Sequence, residues 1–136
     1  MSLRTYRCSL HLTDRDATAL TDEIDLLRHC FAAEMKQSWM EVHGACVLPH
    51  ALYLVVSMQE NEDPVARLKR LGAAFKKHSE SDLAWMYPVV GPSSAEEVAG
   101  DVEECLMRPV HWGLTTRAEE WPYSSAAAKK RLATTA

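Results

Sequence analysis

The sequence predicts an α+β domain in which an antiparallel sheet carries helices on one face. Three observations lead there. Residues near the start alternate apolar and polar, two short runs rich in branched apolar residues stand a turn apart, and two later segments repeat their apolar residues at helical spacing. Their order is strand, helix, strand, strand, helix, strand and a further helix. That is the order of a ferredoxin-like split β-α-β sandwich with an added C-terminal helix.

Taken in order, Tyr6, Cys8, Leu10 and Leu12 alternate with Arg7, Ser9 and His11, predicting a strand over 4–12 with one buried face. Thr21 is placed to cap a helix whose first turn holds Asp22 and Glu23, with Ile24, Leu27, Phe31 and Met35 as its apolar stripe to about Gln37. Val42 to Leu48 and Leu52 to Met58, separated by Pro49, His50 and Ala51, read as a hairpin. Asp63 and Pro64 start a second helix with Val65, Leu68, Leu71 and Phe75 inward, leaving Arg67, Lys69, Arg70, Lys76, Lys77 and His78 for a basic outer face. Leu83 to Val90 reads as a fourth strand, at an edge because of Pro88. Gly91 to Ser94 form a turn. Ser94 and Glu97 have capping-box spacing for a third helix to about Met107, ended by Pro109 and Gly113.

The chain has 136 residues, of which 47% are hydrophobic and 25% charged, enough for one core. We expect one domain over residues 1–126 and a flexible tail over 127–136. No apolar run is long enough to span a bilayer and the N-terminus does not look like a signal peptide, so no membrane role and a cytoplasmic location are expected. Cys8, Cys30, Cys46 and Cys105 lie far apart in apolar settings, which suits buried thiols rather than a zinc site or disulfides. The net charge of −4 excludes a generic nucleic-acid binder, so any DNA contact must use a local basic patch.

Three motifs carry a resemblance. The run Gly44-Ala45-Cys46-Val47-Leu48-Pro49-His50-Ala51-Leu52-Tyr53-Leu54 is similar to V-L-P-D-H-L-H-L. Glu104-Cys105-Leu106-Met107-Arg108-Pro109-Val110-His111-Trp112-Gly113-Leu114 is similar to Y-I-H-x-N-P-V-x-x-G-L, and Glu120-Trp121-Pro122-Tyr123-Ser124-Ser125 to D-W-P-W-S-S. All three belong to the REP-associated tyrosine transposases and their insertion-sequence relatives, the single-tyrosine HUH transposases. In order and spacing the resemblance runs from about Tyr6 to Ser125.

The resemblance implies a catalytic layout that these residues depart from. In that family two histidines, one residue apart on a strand, hold a divalent metal that polarises the scissile phosphate, and a helical tyrosine attacks the phosphorus. Here those positions hold Ala51, Tyr53 and Glu104. Alanine offers no donor, a neutral phenol is a poor ligand, and Glu104 sits among Glu96, Glu97, Asp101 and Glu103, an acidic face that repels phosphate. His50 falls one residue early, so strand alternation sends it to the opposite face, as a polar hairpin residue near the surface.

No catalytic residues, no metal site and no resident cofactor are therefore expected, with magnesium or manganese needed only if activity is retained. The reading is a transposase-like DNA-binding protein without the family's nicking and strand transfer. Arg67, Lys69, Arg70, Lys76 and Lys77 would hold single-stranded or hairpin DNA, and the resemblance implies a homodimer. Two alternatives stay open. One is an active transposase whose nucleophile has moved to Tyr53, Tyr87 or Tyr123; the other is a repurposed protein-interaction domain using the acidic third helix and the apolar Trp85-Met86-Tyr87 segment.

Overall fold

A computed structural model describes residues 2–125. The strands are β1 (Leu3–His11), β2 (Glu41–Leu48), β3 (Ala51–Gln59) and β4 (Val89–Pro92). The helices are α1 (Ala19–Asp22), α2 (Ile24–Gln37), α3 (Pro64–His78), α4 (Val98–Leu106) and α5 (Arg108–His111), followed by a single 3-10 turn at Ala118–Glu120. The sheet order is β2-β3-β1-β4 and every neighbouring pair is antiparallel. The fold is thus the α+β ferredoxin-like plan that the order of elements predicts. The expected tail over 127–136 lies outside the described residues.

Alternation along the strands sorts the core into two layers. Cys8, Leu10, Leu52, Leu54, Val56 and Met58 face Leu27 and Cys30 of α2 and Leu68, Leu71 and Phe75 of α3 in one continuous cluster. Cys46, Leu48, Ala51 and Val55 point the other way, where Cys105, Val98 and Val102 of α4 cover them. Gly44 permits that close approach, since a Cβ there would stand 3.1 Å from Val102 Cγ1. α4 packs chiefly over β2 and β3, and a cleft remains on the β1 and β4 side of this face, where Asp101 accepts from Ser93 Oγ at 2.6 Å.

Four boundaries differ from the expectations for local reasons. Thr21 does not cap the first helix: the chain makes the short α1, breaks at Glu23, and begins α2 at Ile24. The Glu23 carboxylate is drawn away to the end of α3, accepting from Ser79 Oγ and from Glu80 N at 3.0 Å. The fourth strand lies later than Leu83 to Val90, at Val89–Pro92, so Gly91 and Pro92 pair with β1 instead of turning. Pro88 has no N–H to donate, and the segment before it bends so that Trp85 Nε1 donates to Gly72 O of α3 at 2.9 Å. Only one arm of the Ser94 and Glu97 box forms, Ser94 N to Glu97 Oε1 at 3.2 Å, and α4 starts at Val98. Pro109 does not simply stop the helix; it sits in the first turn of α5, and Gly113 at φ +71° makes the stop.

Elsewhere local chemistry holds as expected. Asp63 Oδ1 accepts from Val65 N at 3.0 Å with Pro64 in the first turn of α3. The Glu120-Trp121-Pro122-Tyr123-Ser124-Ser125 segment protects the free edge of β2: Trp121 Nε1 donates to Val47 O at 2.7 Å, and Val47 N donates to Tyr123 O at 2.8 Å.

Candidate nucleic-acid interface and the cleft beside α4

Two of the three positions singled out by the motifs, Tyr53 and Glu104, meet in one cleft. Ala51 and Tyr53 occur at alternate positions of β3 and share the face that α4 covers, and Glu104 stands on α4. Tyr53 and Glu104 border a cleft of about 490 Å³, lined also by Arg7, Ser9, Asp101 and Arg108, while Ala51 lies outside its lining, in the apolar cluster under α4. Ala51 is completely buried, whereas Tyr53 is half-buried with its ring edge-on to His11, centroids 5.3 Å apart.

A cation already occupies the space before Tyr53. The Arg108 guanidinium lies 4.7 Å from the Tyr53 ring centroid, and its Nη2 donates to Glu104 Oε1 at 3.1 Å, one helical turn back. Arg7 Nη1 stands 4.0 Å from Asp101 Oδ1, a looser ion pair without a hydrogen bond. The cleft is therefore internally neutralised. Burial pushes the Tyr53 hydroxyl above its ordinary value, so the phenol stays protonated at neutral pH.

The donor set does not fit a catalytic divalent metal. Ala51 has nothing to offer, Tyr53 is neutral, and Glu104 is paired with Arg108. Burial pushes the nearby Cys46 and Cys105 thiols up to about 12, which keeps them from serving as thiolates. Among the described residues, no group of three or more His, Cys, Asp or Glu side chains is disposed to hold a metal ion.

His50 is a correction. It is only 5% exposed, and it neither stands near the surface nor points to the opposite face: its ring packs on Trp112 at 4.5 Å, on the α5 side, close enough to His11 to perturb it. It belongs to the tight turn between β2 and β3, where strand alternation no longer governs direction. Burial lowers the affinity of both His11 and His50 for a proton.

Arg67 is a second correction. It is 2% exposed, not part of an outer basic face. Its Nε donates to Glu34 Oε1 at 3.1 Å, and its Nη atoms donate to Ser38 O at 2.7 Å, Trp39 O at 3.2 Å and Glu34 O at 3.3 Å. The side chain thus binds carbonyls at and just beyond the C-terminal end of α2 and cannot also reach a phosphate. A signal for this was present: Arg67 lies one turn before Leu71 and two before Phe75, at the border of the apolar stripe. Arg70 donates to the same carboxylate at 2.8 Å but keeps an exposed side. Lys69, Lys76 and Lys77 are exposed.

The other tyrosines differ in setting. Tyr123 stacks edge-on with Trp121, centroids 5.4 Å apart, in the segment that covers β2. Tyr87 stands out from the surface at 69% exposure, with Lys69 Nζ 4.5 Å from its ring centroid.

Comparison with known proteins agrees with the motifs. No family model matches the chain. A Haemophilus influenzae protein assigned as a REP-associated tyrosine transposase is 24% identical over 140 residues, covering 88% of this chain and 78% of that one. Among solved structures, a REP-associated tyrosine transposase bound to a REP hairpin superposes with a TM-score of 0.84 at 19% identity, over 90% of this chain and 76% of that chain. A crystal structure of a Deinococcus radiodurans protein assigned as a transposase superposes with a TM-score of 0.53 at 16% identity, over 77% of this chain and 92% of that one.

Proposed function

We propose that this chain, which resembles the REP-associated tyrosine transposases in sequence and shares their fold, binds structured DNA without cutting it. The observation that carries the reading is the pairing of a scaffold like that of a hairpin-bound transposase with a cleft where Arg108 lies against Tyr53 and neutralises Glu104. Metal-assisted attack on phosphorus needs a bound cation and a free nucleophile. The side chains at those positions offer neither.

The DNA contacts would come from the exposed cations of α3, Lys69, Arg70, Lys76 and Lys77, which make sequence-independent contacts to phosphates. Arg67 leaves that set, because its donors are taken by α2. The partner DNA is a hairpin or a single strand, and the protein acts in the cytoplasm as a homodimer. Exposed Trp112 and Leu114 after α5 supply apolar surface for self-association, which sedimentation will test. No described helix is long and apolar enough to cross a membrane.

The test is a mobility shift with hairpin DNA, with and without Mg²⁺ or Mn²⁺, resolved in parallel on a denaturing gel for covalent adducts. The expected result is a metal-independent shift with no adduct, weakened when Lys69, Arg70, Lys76 and Lys77 are changed together to Ala. A metal-dependent adduct would restore the active alternative and direct attention to Tyr53, Tyr87 or Tyr123. No shift at low salt would leave the protein-interaction reading.

A further inference from the structure

A second cleft, of about 390 Å³, opens beside α3 on the far side of the core from α4. Lys69 and Lys76 wall it from α3, Gly72 lies between them, and Trp85, Met86 and Tyr87 close it from the segment before β4. No carboxylate lines it. Met86 and Tyr87 are 54% and 69% exposed, so most of their apolar surface is not spent on the core.

The platform is nevertheless held firmly. Met86 N donates to His11 O at 2.8 Å, Thr13 N donates to Ala84 O at 2.9 Å, and Trp85 Nε1 donates to Gly72 O at 2.9 Å. Gly72 eases this contact, because a Cβ there would stand a tight 3.1 Å from Trp85 Nε1. Trp85 also packs edge-on against Phe75, centroids 6.1 Å apart. Tyr87 follows directly on this anchored pair and precedes buried Pro88 and β4. An exposed aromatic ring on a fixed backbone, beside two lysines and in a cleft whose lining holds no acid, is a preorganised surface.

We infer that this cleft takes an unpaired stretch of nucleic acid, with a base stacked on Tyr87 and the backbone phosphates held by Lys69 and Lys76. Charge complementarity decides the occupant. The chain as a whole is acidic, yet this wall carries only lysines, and the two stand seven residues apart, about 10 Å along the helix. Bases of any kind have a π face, so such a site tolerates sequence and selects for single-strandedness. The lysine already drawn over the Tyr87 ring shows that the ring attracts cations, and the same lysine is placed to meet a phosphate beside a stacked base. The inference rests on the DNA-binding reading and adds to it a preference for unpaired nucleotides at a named place.

The experiment is fluorescence anisotropy with two labelled DNAs, a blunt hairpin and the same hairpin carrying an unpaired thymidine tail. Wild type is expected to bind the tailed DNA more tightly. Tyr87→Ala should weaken tailed binding about tenfold and leave blunt binding unchanged, while Tyr87→Phe stays near wild type because the π face remains. Lys69→Ala with Lys76→Ala should reduce the salt dependence of tailed binding by about two phosphate contacts. The side chain of Tyr87 is too exposed for its loss to unfold the protein, and a denaturation curve checks this. If Tyr87→Ala binds the tailed DNA as wild type does while both still bind hairpin, the cleft is overturned and the DNA-binding reading stands. If wild type binds neither DNA, both fall. If Tyr87→Ala changes only the sedimentation of the protein, the surface is a protein interface and the inference is overturned.

Discussion

The two faces of the sheet are made from alternate residues of the same strands, yet they carry different kinds of packing. Under α2 and α3 the inward residues form one continuous apolar cluster from Cys8 to Leu83. Under α4 the cluster is small, Cys46, Leu48, Ala51, Val55 and Cys105, and beyond its edge the face opens into the polar cleft of Tyr53, Glu104 and Arg108. The first face sets the fold. The second is the face to which the motif resemblance points, and there Tyr53 and Glu104 are presented by β3 and α4.

The largest expected contrast is in stability. Phe75→Ala removes a fully buried ring at the centre of the first face and should cost about 3–5 kcal/mol, read from urea denaturation. Glu104→Ala on the other side should leave the midpoint close to wild type, since Glu104 is exposed and its pair with Arg108 lies at the surface. A comparable loss for both would erase the distinction between the faces.

Next comes the buried cation. Arg67→Ala leaves the Glu34 carboxylate with Arg70 alone and removes the donor to the Glu34, Ser38 and Trp39 carbonyls, and should cost about 3 kcal/mol, whereas Lys77→Ala on the same helix should leave stability unaltered. Burial by itself would push the Glu34 carboxyl up, but hydrogen bonds from Arg70 and Arg67 outweigh it and hold the group below its ordinary value of 4.5. A carboxyl depressed by folding adds stability that is present above its unfolded value and is lost as pH falls through the folded one. Acid unfolding of wild type should therefore steepen below about pH 4.5, and Arg67→Ala should flatten that part of the curve.

A smaller effect sharpens the comparison at the metal positions. Ala51→His inserts an imidazole where a completely buried alanine packs against α4, with an overpacking cost of about 1–3 kcal/mol. With Tyr53→His added, calorimetry should still detect no tight Mn²⁺ site while Arg108 remains, because its guanidinium stands before position 53. Tight binding in the double variant would show that Arg108 moves aside readily.

The smallest is the histidine pair. Both His11 and His50 bind a proton less readily in the fold than in the unfolded chain, first because they are buried. Unfolded histidine takes up a proton near 6.5, so stability declines as pH falls from there through the lower folded values. His50→Gln should reduce that decline in a series of thermal melts, without shifting the acid limb set by Glu34.

Much of this architecture was legible residue by residue. Alternation at Tyr6 to Leu12 gave β1, and the Asp63-Pro64 start gave α3 within a residue, because a strand's period and a helix's cap are properties of the local chain. That Ala51, Tyr53 and Glu104 belong together came from the motifs. The cleft that Tyr53 and Glu104 share, and the burial of Ala51 beside it, followed from the sheet and α4. The break at Glu23 and the late start of β4 were not legible, since Glu23 answers to the end of α3 and Trp85 to Gly72, both distant in sequence.

The amino-acid sequence by itself determined the order of the strands and helices, the sheet-facing residues and the identities Ala51, Tyr53 and Glu104 at the motif positions. Tertiary structure alone decided which cations are free. Arg67 and Lys69 stand two residues apart with the same charge, but only one of them meets the carboxylate of Glu34 and the open carbonyls of α2. A guanidinium buried among acceptors loses its solvent and gains fixed partners, while an ammonium left at the surface keeps its charge available to a ligand. That choice depends on the contact between α2 and α3, which no local pattern specifies.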